Sequence, residues 1–214
     1  MALRLTVDPT DPAERVLVLA ATVVQAGGVL VYPTETLYGL GVNAWNTEGV
    51  RRVLALKRRP ENKPILLIVH NENAVAGLTD EIPEAGRALM SALWPGPLTL
   101  LFRAAGHVPG VLTQGSGKIG LRIPASRLCL RLLELSGVPL TATSANLSGN
   151  PSPRSVDEIE KMLGPGIDLY VDGGVMKTTQ PSTIVDVSEG VPRLVREGAI
   201  ALEKLKTITS ITHD

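Results

Sequence analysis

Two rhythms of apolar and polar residues alternate along the chain. Short apolar, β-branched runs recur at 29–32, 65–69, 98–102, 119–123, 138–143, 169–171, 183–187 and 193–196, and read as buried strands. Between them, apolar residues return every three or four positions, as on amphipathic helices. After an extended lead-in over 1–10, Asp11-Pro12 is predicted to open a helix that runs to Ala26 and stops at Gly27-Gly28. Thr47 is predicted to cap a helix over 48–57, and further helices are expected over 83–94, from Ser126 to Ser136, from a Ser155/Glu158 capping box to Leu163, and over 199–206. Residues 104–118 read as a Gly-rich loop, and the tail from Thr207 as loose. The expected class is α/β: a single domain over 1–206, with a twisted open mixed sheet flanked by helices.

The stretch from Val31 to Gly41 organises the rest. A strand runs into Pro33, which cannot donate to a ladder and is expected to end it. Thr34, Glu35 and Thr36 follow, then Gly39 and Gly41. Hydroxyls and glycines at a strand's end suit a ligand loop. By itself the stretch equally suits an ordinary Pro-Gly turn.

Composition narrows the function. The 21 Lys and Arg balance 21 Asp and Glu, so the chain is not a polycation that binds nucleic acid through bulk charge. Aromatics make up 3%, which weakens any mode of binding by base stacking. The single cysteine, Cys129, permits no internal disulfide and no Cys-based metal framework, and reads as a small core residue. Neither a secretion signal nor a membrane-spanning run is visible, so a cytoplasmic protein is expected.

Four constellations carry candidate chemistry. Arg51, Arg52, Lys57, Arg58, Arg59 and Lys63 form a basic run that breaks into a Pro-bounded loop, as a phosphate clamp would, although such runs often line a solvated helix face. The Ser/Asn loop from Thr141 to Ser152 offers hydroxyls and amides suited to phosphate and ribose oxygens, or forms a polar turn. Gly117-Lys118 imitates a P-loop, but Leu112 stands where its first glycine belongs and Ile119 where Ser or Thr must hold magnesium. Arg122 lies inside an apolar strand and needs an anionic partner, either a carboxylate ligand or an internal acid. Ser182, at the entry to a strand, is a candidate ligand contact. Asp172 and Asp186 could approach a metal or be structural, and His70, His107 and His213 lack metal spacing. No nucleophile elbow or Ser/His/Asp arrangement is visible, so an enzyme here would work by positioning and electrostatics.

Together, YPTETLYGLG at 32–41, KRRPENKP at 57–64, KIGLRIP at 118–124, TSANLSG at 143–149, PSTIVD at 181–186 and VREGAI at 195–200 resemble the YrdC/Sua5 family of threonylcarbamoyl-AMP synthases, in a short, single-domain form. The resemblance implies formation of L-threonylcarbamoyladenylate and pyrophosphate from L-threonine, bicarbonate or CO2, and ATP, for tRNA t6A modification. It implies that Thr36, Arg122, Ala142 and Ser182 hold threonine. Arg59, Lys63, Ser144, Ser152, Arg196 and the Lys118 backbone would hold ATP. Lys57, Arg59, Ser144 and Asn146 would be catalytic, with magnesium on the phosphates and no assigned protein ligand. The implied partners are ATP, L-threonine, bicarbonate or CO2, tRNA and the proteins of the transfer step. Ile68 stands where many relatives carry histidine, and His70 follows two residues later. Two other readings stay open. One is an RNA-binding module without nucleotidyl transfer. The other is a carbamoyl-adenylate step with a different acceptor, as in the related domain of hydrogenase maturation factors.

Overall fold

The structure, a computed structural model, describes residues 2–58 and 63–213. In chain order the elements are β1 Leu3–Thr6, α1 Glu14–Gln25, β2 Leu30–Pro33, β3 Tyr38–Gly41, α2 Thr47–Lys57, β4 Leu66–Ile68, α3 Glu72–Ala76, α4 Glu84–Leu93, β5 Leu98–Arg103 and α5 Gly110–Thr113. Then come β6 Lys118–Arg122, α6 Arg127–Ser136, β7 Leu140–Thr141, β8 Thr143–Ser144, α7 Val156–Leu163, β9 Leu169–Asp172, β10 Thr183–Asp186, β11 Arg193–Arg196 and α8 Leu202–Lys206.

The strands form two mixed sheets instead of the single sheet expected. One has five strands, ordered β1-β9-β2-β3-β8, and the other six, ordered β11-β10-β5-β6-β4-β7. The predicted 138–143 strand is the reason for the split. Its chain pairs with β4 as β7, then with β3 as β8, and so passes from one sheet to the other across Ala142. Val31, Leu40, Leu67, Phe102 and Leu121 meet in one core with Val50 and Val53 of α2. Leu30, Tyr32 and Ile68 face a second core built by Leu17, Ala20 and Val24 of α1 and Leu128 and Leu132 of α6. Strand β2 is therefore buried on both faces, which explains its unbroken apolar run.

The stretch around Pro33 is a tight hairpin between β2 and β3. Pro33 is the last residue of β2, as expected of it, and pairs with Tyr38. Thr34 closes the turn: its Oγ1 accepts from the Thr36 and Leu37 amides, both at 3.1 Å, and donates to the Leu37 carbonyl at 2.7 Å. Gly39 and Gly41 do not serve a ligand loop. A Cβ at Gly39 would stand 2.9 Å from Tyr32 Cζ, and one at Gly41 2.5 Å from Tyr32 Cε1. These two same-face glycines make room for the buried Tyr32 ring, whose hydroxyl reaches over β3 to the Thr141 carbonyl at 2.9 Å.

Several boundaries differ from the sequence reading. Helix α1 starts at Glu14 after Ala13, without a side-chain cap, while Asp11 pairs with Arg127 at 3.4 Å. Asn46, not Thr47, caps α2 by accepting from the Gly49 amide at 2.9 Å. The segment after α8, expected to be loose, folds back: the Leu194 amide donates to the Thr212 carbonyl at 2.8 Å, and Ile211 is buried. Strands β1 and β3 and helices α3 and α5 have no counterpart in the sequence reading. Among the described residues no helix is long and apolar enough to cross a membrane.

Candidate functional site

Arg122 ends β6 and lies in register with Ile68 of the parallel neighbour β4. Its guanidinium is buried. Nη1 donates to Thr36 Oγ1 at 3.2 Å, and Nη2 stands 2.7 Å from Glu35 Oε2. That ion pair is not an aligned hydrogen bond: Arg122 Nε and Nη2 and Glu35 Oε2 are buried without a hydrogen-bond partner. Glu35 Oε1 accepts from the Ala125 amide at 3.0 Å, which holds the acid in place. Thr36 is buried, and its hydroxyl lies 3.0 Å from that of Thr34. The hairpin turn thus sets a hydroxyl pair and an acid against an arginine with donors to spare, in a setting suited to a small zwitterion. Glu35 and Thr34 are absent from the sequence-based set. Their signal was their place in the same turn as Thr36.

Ser182 precedes β10 and is buried; its Oγ lies 2.9 Å from Thr99 Oγ1 on the neighbouring β5. Arg196, expected on ATP, turns to this corner. Its Nε and Nη2 donate to the Ser182 carbonyl at 3.3 and 2.7 Å, and Nη2 also reaches Ser182 Oγ at 3.4 Å. Thr99 escaped the sequence reading, though a lone hydroxyl in the apolar run 98–102 was a usable sign.

Lys57 is almost fully buried. Its Nζ donates to the Asn146 carbonyl at 2.7 Å, to Asn146 Oδ1 at 3.1 Å and to the Ser144 carbonyl. Ser144 Oγ donates to Asn146 Oδ1 at 2.6 Å, and Asn146 Nδ2 to the Asn150 carbonyl at 2.5 Å. Lys57, Ser144 and Asn146 are therefore brought together, with the lysine shaping the loop from inside. Lys57 falls on the buried face of α2 with Val50 and Val53, and Arg58 follows it as the C-cap in the left-handed region, with φ 48°. Ser148 Oγ is buried without a partner in the same loop. Ser152 is half-buried further along the loop, and Lys63 is exposed. Arg59 lies outside the described residues. Ala142 is half-buried between β7 and β8, and its amide donates to the Leu66 carbonyl at 2.7 Å.

Lys118 is not brought to Arg122. The two occupy opposite ends of β6, and Lys118 Nζ pairs with Asp186 at 2.8 Å while its amide donates to Ser116 Oγ at 3.2 Å. Burial alone would raise the Asp186 carboxyl, but hydrogen bonds from Lys118 and Ser188 outweigh it and hold the acid below its ordinary range. Asp172 is engaged by Arg4 at 2.6 Å and by the Gly174 amide at 2.9 Å. Both aspartates are engaged by protein donors. His107 stacks on Trp45, with ring centroids 6.0 Å apart, and His70 meets Asn71 at 3.4 Å. Cys129 sits in the core, where burial pushes its thiol up to about 12. Among the described residues no group of three or more His, Cys, Asp or Glu could hold a metal ion.

The Sua5/YciO/YrdC family model, described as "Telomere recombination", matches residues 22–198. A threonylcarbamoyl-AMP synthase of Pyrococcus abyssi is 37% identical over 190 residues, 89% of this chain. The chain spans 56% of that relative's length. A putative threonylcarbamoyl-AMP synthase of Mycobacterium tuberculosis is 32% identical over 208 residues, covering 96% of this chain and 95% of its own. The crystal structure of P. abyssi Sua5 complexed with L-threonine superposes with a TM-score of 0.89 at 34% identity, over 99% of this chain and 62% of that one. The chain belongs to the Sua5/YciO/YrdC family.

Proposed function

We propose that this chain is a threonylcarbamoyl-AMP synthase: it joins L-threonine, bicarbonate or CO2, and ATP into L-threonylcarbamoyladenylate and releases pyrophosphate. The observation that carries the reading is the buried Arg122 guanidinium, with two nitrogens lacking an aligned acceptor beside the Thr36 hydroxyl. A ligand carboxylate supplies what they lack. P. abyssi Sua5, of the same fold, has been crystallised with L-threonine.

The threonine amine captures CO2 as a carbamate. A carbamate oxygen then attacks the α-phosphorus of ATP, and pyrophosphate departs as that P–O bond breaks. No protein nucleophile takes part. Arg122, Thr36 and Ser182 orient threonine, with Ala142 at the edge of the pocket. The phosphates are assigned to Lys63, Arg59, Ser144 and Ser152, and Lys57 and Asn146 hold their loop in shape. Arg196 acts on Ser182 and thereby links the two substrates' corners. A magnesium ion would ride on the phosphates themselves: Lys57 already occupies the Ser144 and Asn146 carbonyls and Asn146 Oδ1, and among the described residues no group of three or more His, Cys, Asp or Glu could hold the ion. The ion would offset charge on the leaving pyrophosphate. The product would pass in the cytoplasm to proteins that modify tRNA.

The test is pyrophosphate release from ATP and magnesium, with and without L-threonine and bicarbonate. Release that needs both supports the reading. Release with another amino acid moves the substrate. ATP binding without release under any combination overturns the reading and favours a binding module.

A further inference from the structure

Residues 173–181 run from the end of β9 to Ser182 as a strap with few internal bonds. At its entry, Gly173 packs so closely on Pro33 that a Cβ would stand 2.8 Å from the Pro33 Cγ. Tyr38 grips the same turn: its hydroxyl accepts from the Gly173 amide at 2.9 Å and donates to the Gly174 carbonyl at 2.7 Å. At its exit stands Ser182, tied to Thr99 and Arg196. Midway, Met176 is clasped by Arg154. The Met176 amide donates to the Arg154 carbonyl at 2.8 Å, and Arg154 Nε and Nη2 return two bonds to the Met176 carbonyl at 3.1 and 2.9 Å. Arg154 lies two residues beyond Ser152, on the loop placed against the phosphates.

We propose that Arg154 is a positioning residue that clasps the 173–181 strap to the nucleotide wall and so fixes the distance between Ser152 and Ser182. This rests on the adenylate-forming reading above. Arg154 touches neither substrate; it acts through the strap.

The balance of forces explains why one side chain can matter. Ordering the strap costs roughly 1–2 kcal/mol per residue in backbone entropy. Against this the strap buries Met176, while Val175 remains 67% exposed and Lys177, Thr179 and Gln180 face solvent. Such a segment lies at the low-stability end of a fold. A clasp with a charged donor is then enough to decide whether it stays closed. Because Arg154 is exposed, losing it leaves no buried charge behind.

Lys177 provides a tryptic site within the strap. The experiment compares wild type, Arg154→Ala and Arg154→Lys by trypsin cleavage after Lys177, followed by mass spectrometry with and without magnesium-ATP, and by KM and kcat for ATP. The Ala variant is expected to be cut about tenfold faster and to show an ATP KM raised about tenfold with kcat changed less, the scale of one lost bond to a charged donor. The Lys variant, with one donor group in place of the fork, regains part of both. Unchanged cleavage and KM overturn the proposal, and so does faster cleavage with unchanged KM, because the clasp is then structural alone. If Arg154→Ala fails to fold, protection of Lys177 by ATP in the wild type supports the clasp, and absence of protection overturns it. If the variant is cut faster but neither protein releases pyrophosphate with threonine, the strap is confirmed as a physical unit. The adenylate-forming reading then fails, and the functional half of this proposal fails with it.

Discussion

Arg122 Nη2 and Glu35 Oε2 lie 2.7 Å apart, yet neither atom has an aligned hydrogen bond. The pair is charge-balanced, with donors left over for a ligand. Replacing Arg122 by Ala should raise the threonine KM at least about tenfold, since a charged hydrogen bond is worth about 1.5–3 kcal/mol. Arg122→Lys should not restore it, because one ammonium cannot replace the planar fork. Titration calorimetry with L-threonine checks both, and an unchanged affinity in the Ala variant removes Arg122 from the site.

The trough that Gly41 leaves for Tyr32 gives a stability prediction. A Cβ at Gly41 would meet Tyr32 Cε1 at 2.5 Å and the Thr141 carbonyl oxygen at 3.2 Å, so the ring has to move. Overpacking of this kind costs about 1–3 kcal/mol, and a denaturant midpoint for Gly41→Ala should fall accordingly. A midpoint equal to wild type would mean that the ring relocates freely.

Lys57 can be separated from a simple phosphate ligand. Lys57→Met keeps the buried stem but strips the ammonium from the Ser144 and Asn146 carbonyls. Leaving those acceptors short of a donor should cost on the order of 2–3 kcal/mol in stability and raise the ATP KM as the loop loosens. A weaker ATP affinity with unchanged stability would instead put the ammonium on the phosphates.

The Lys118–Asp186 pair predicts an acid sensitivity with a definite sign. The Asp186 carboxyl is held below its ordinary value of 3.8 in the folded protein. Its contribution is therefore fully present above the unfolded pKa and is lost as pH falls through the folded one, below about pH 4. Asp186→Asn should be less stable than wild type near neutral pH, and the gap should close in acid. Melting temperatures measured from about pH 2 to about pH 7, a span that includes the carboxyl's change of state at its acid end, test this. A gap independent of pH would assign the loss to packing instead of charge.

The sequence was informative where chemistry is local. Arg122 stood out as a charge inside an apolar strand, and the structure gives it Glu35 and Thr36 as neighbours. Thr36 and Ser182 stood out as hydroxyls flanking strands, and both are buried at the corners of the site. Cys129 read as a core residue from its apolar helix and is buried. By contrast, Gly39 and Gly41 resembled ligand-loop glycines because their spacing carries no mark of the Tyr32 ring that needs them. Lys57 and Arg58 look alike in a basic run, but Lys57 falls on the buried face of α2 with Val50 and Val53 while Arg58 caps the helix in the left-handed region.

By itself the sequence determined the α/β class, most of the strands and helices, and the residue types that meet at the site, because side-chain periodicity records which face of each element avoids water. Only the tertiary structure decided that the strands form two sheets, that one apolar run splits at Ala142 to join them, and that Arg196 turns to Ser182. Those outcomes depend on contacts between residues far apart in the chain, and a local pattern of apolar and polar positions does not encode which distant backbone or side chain will be the partner.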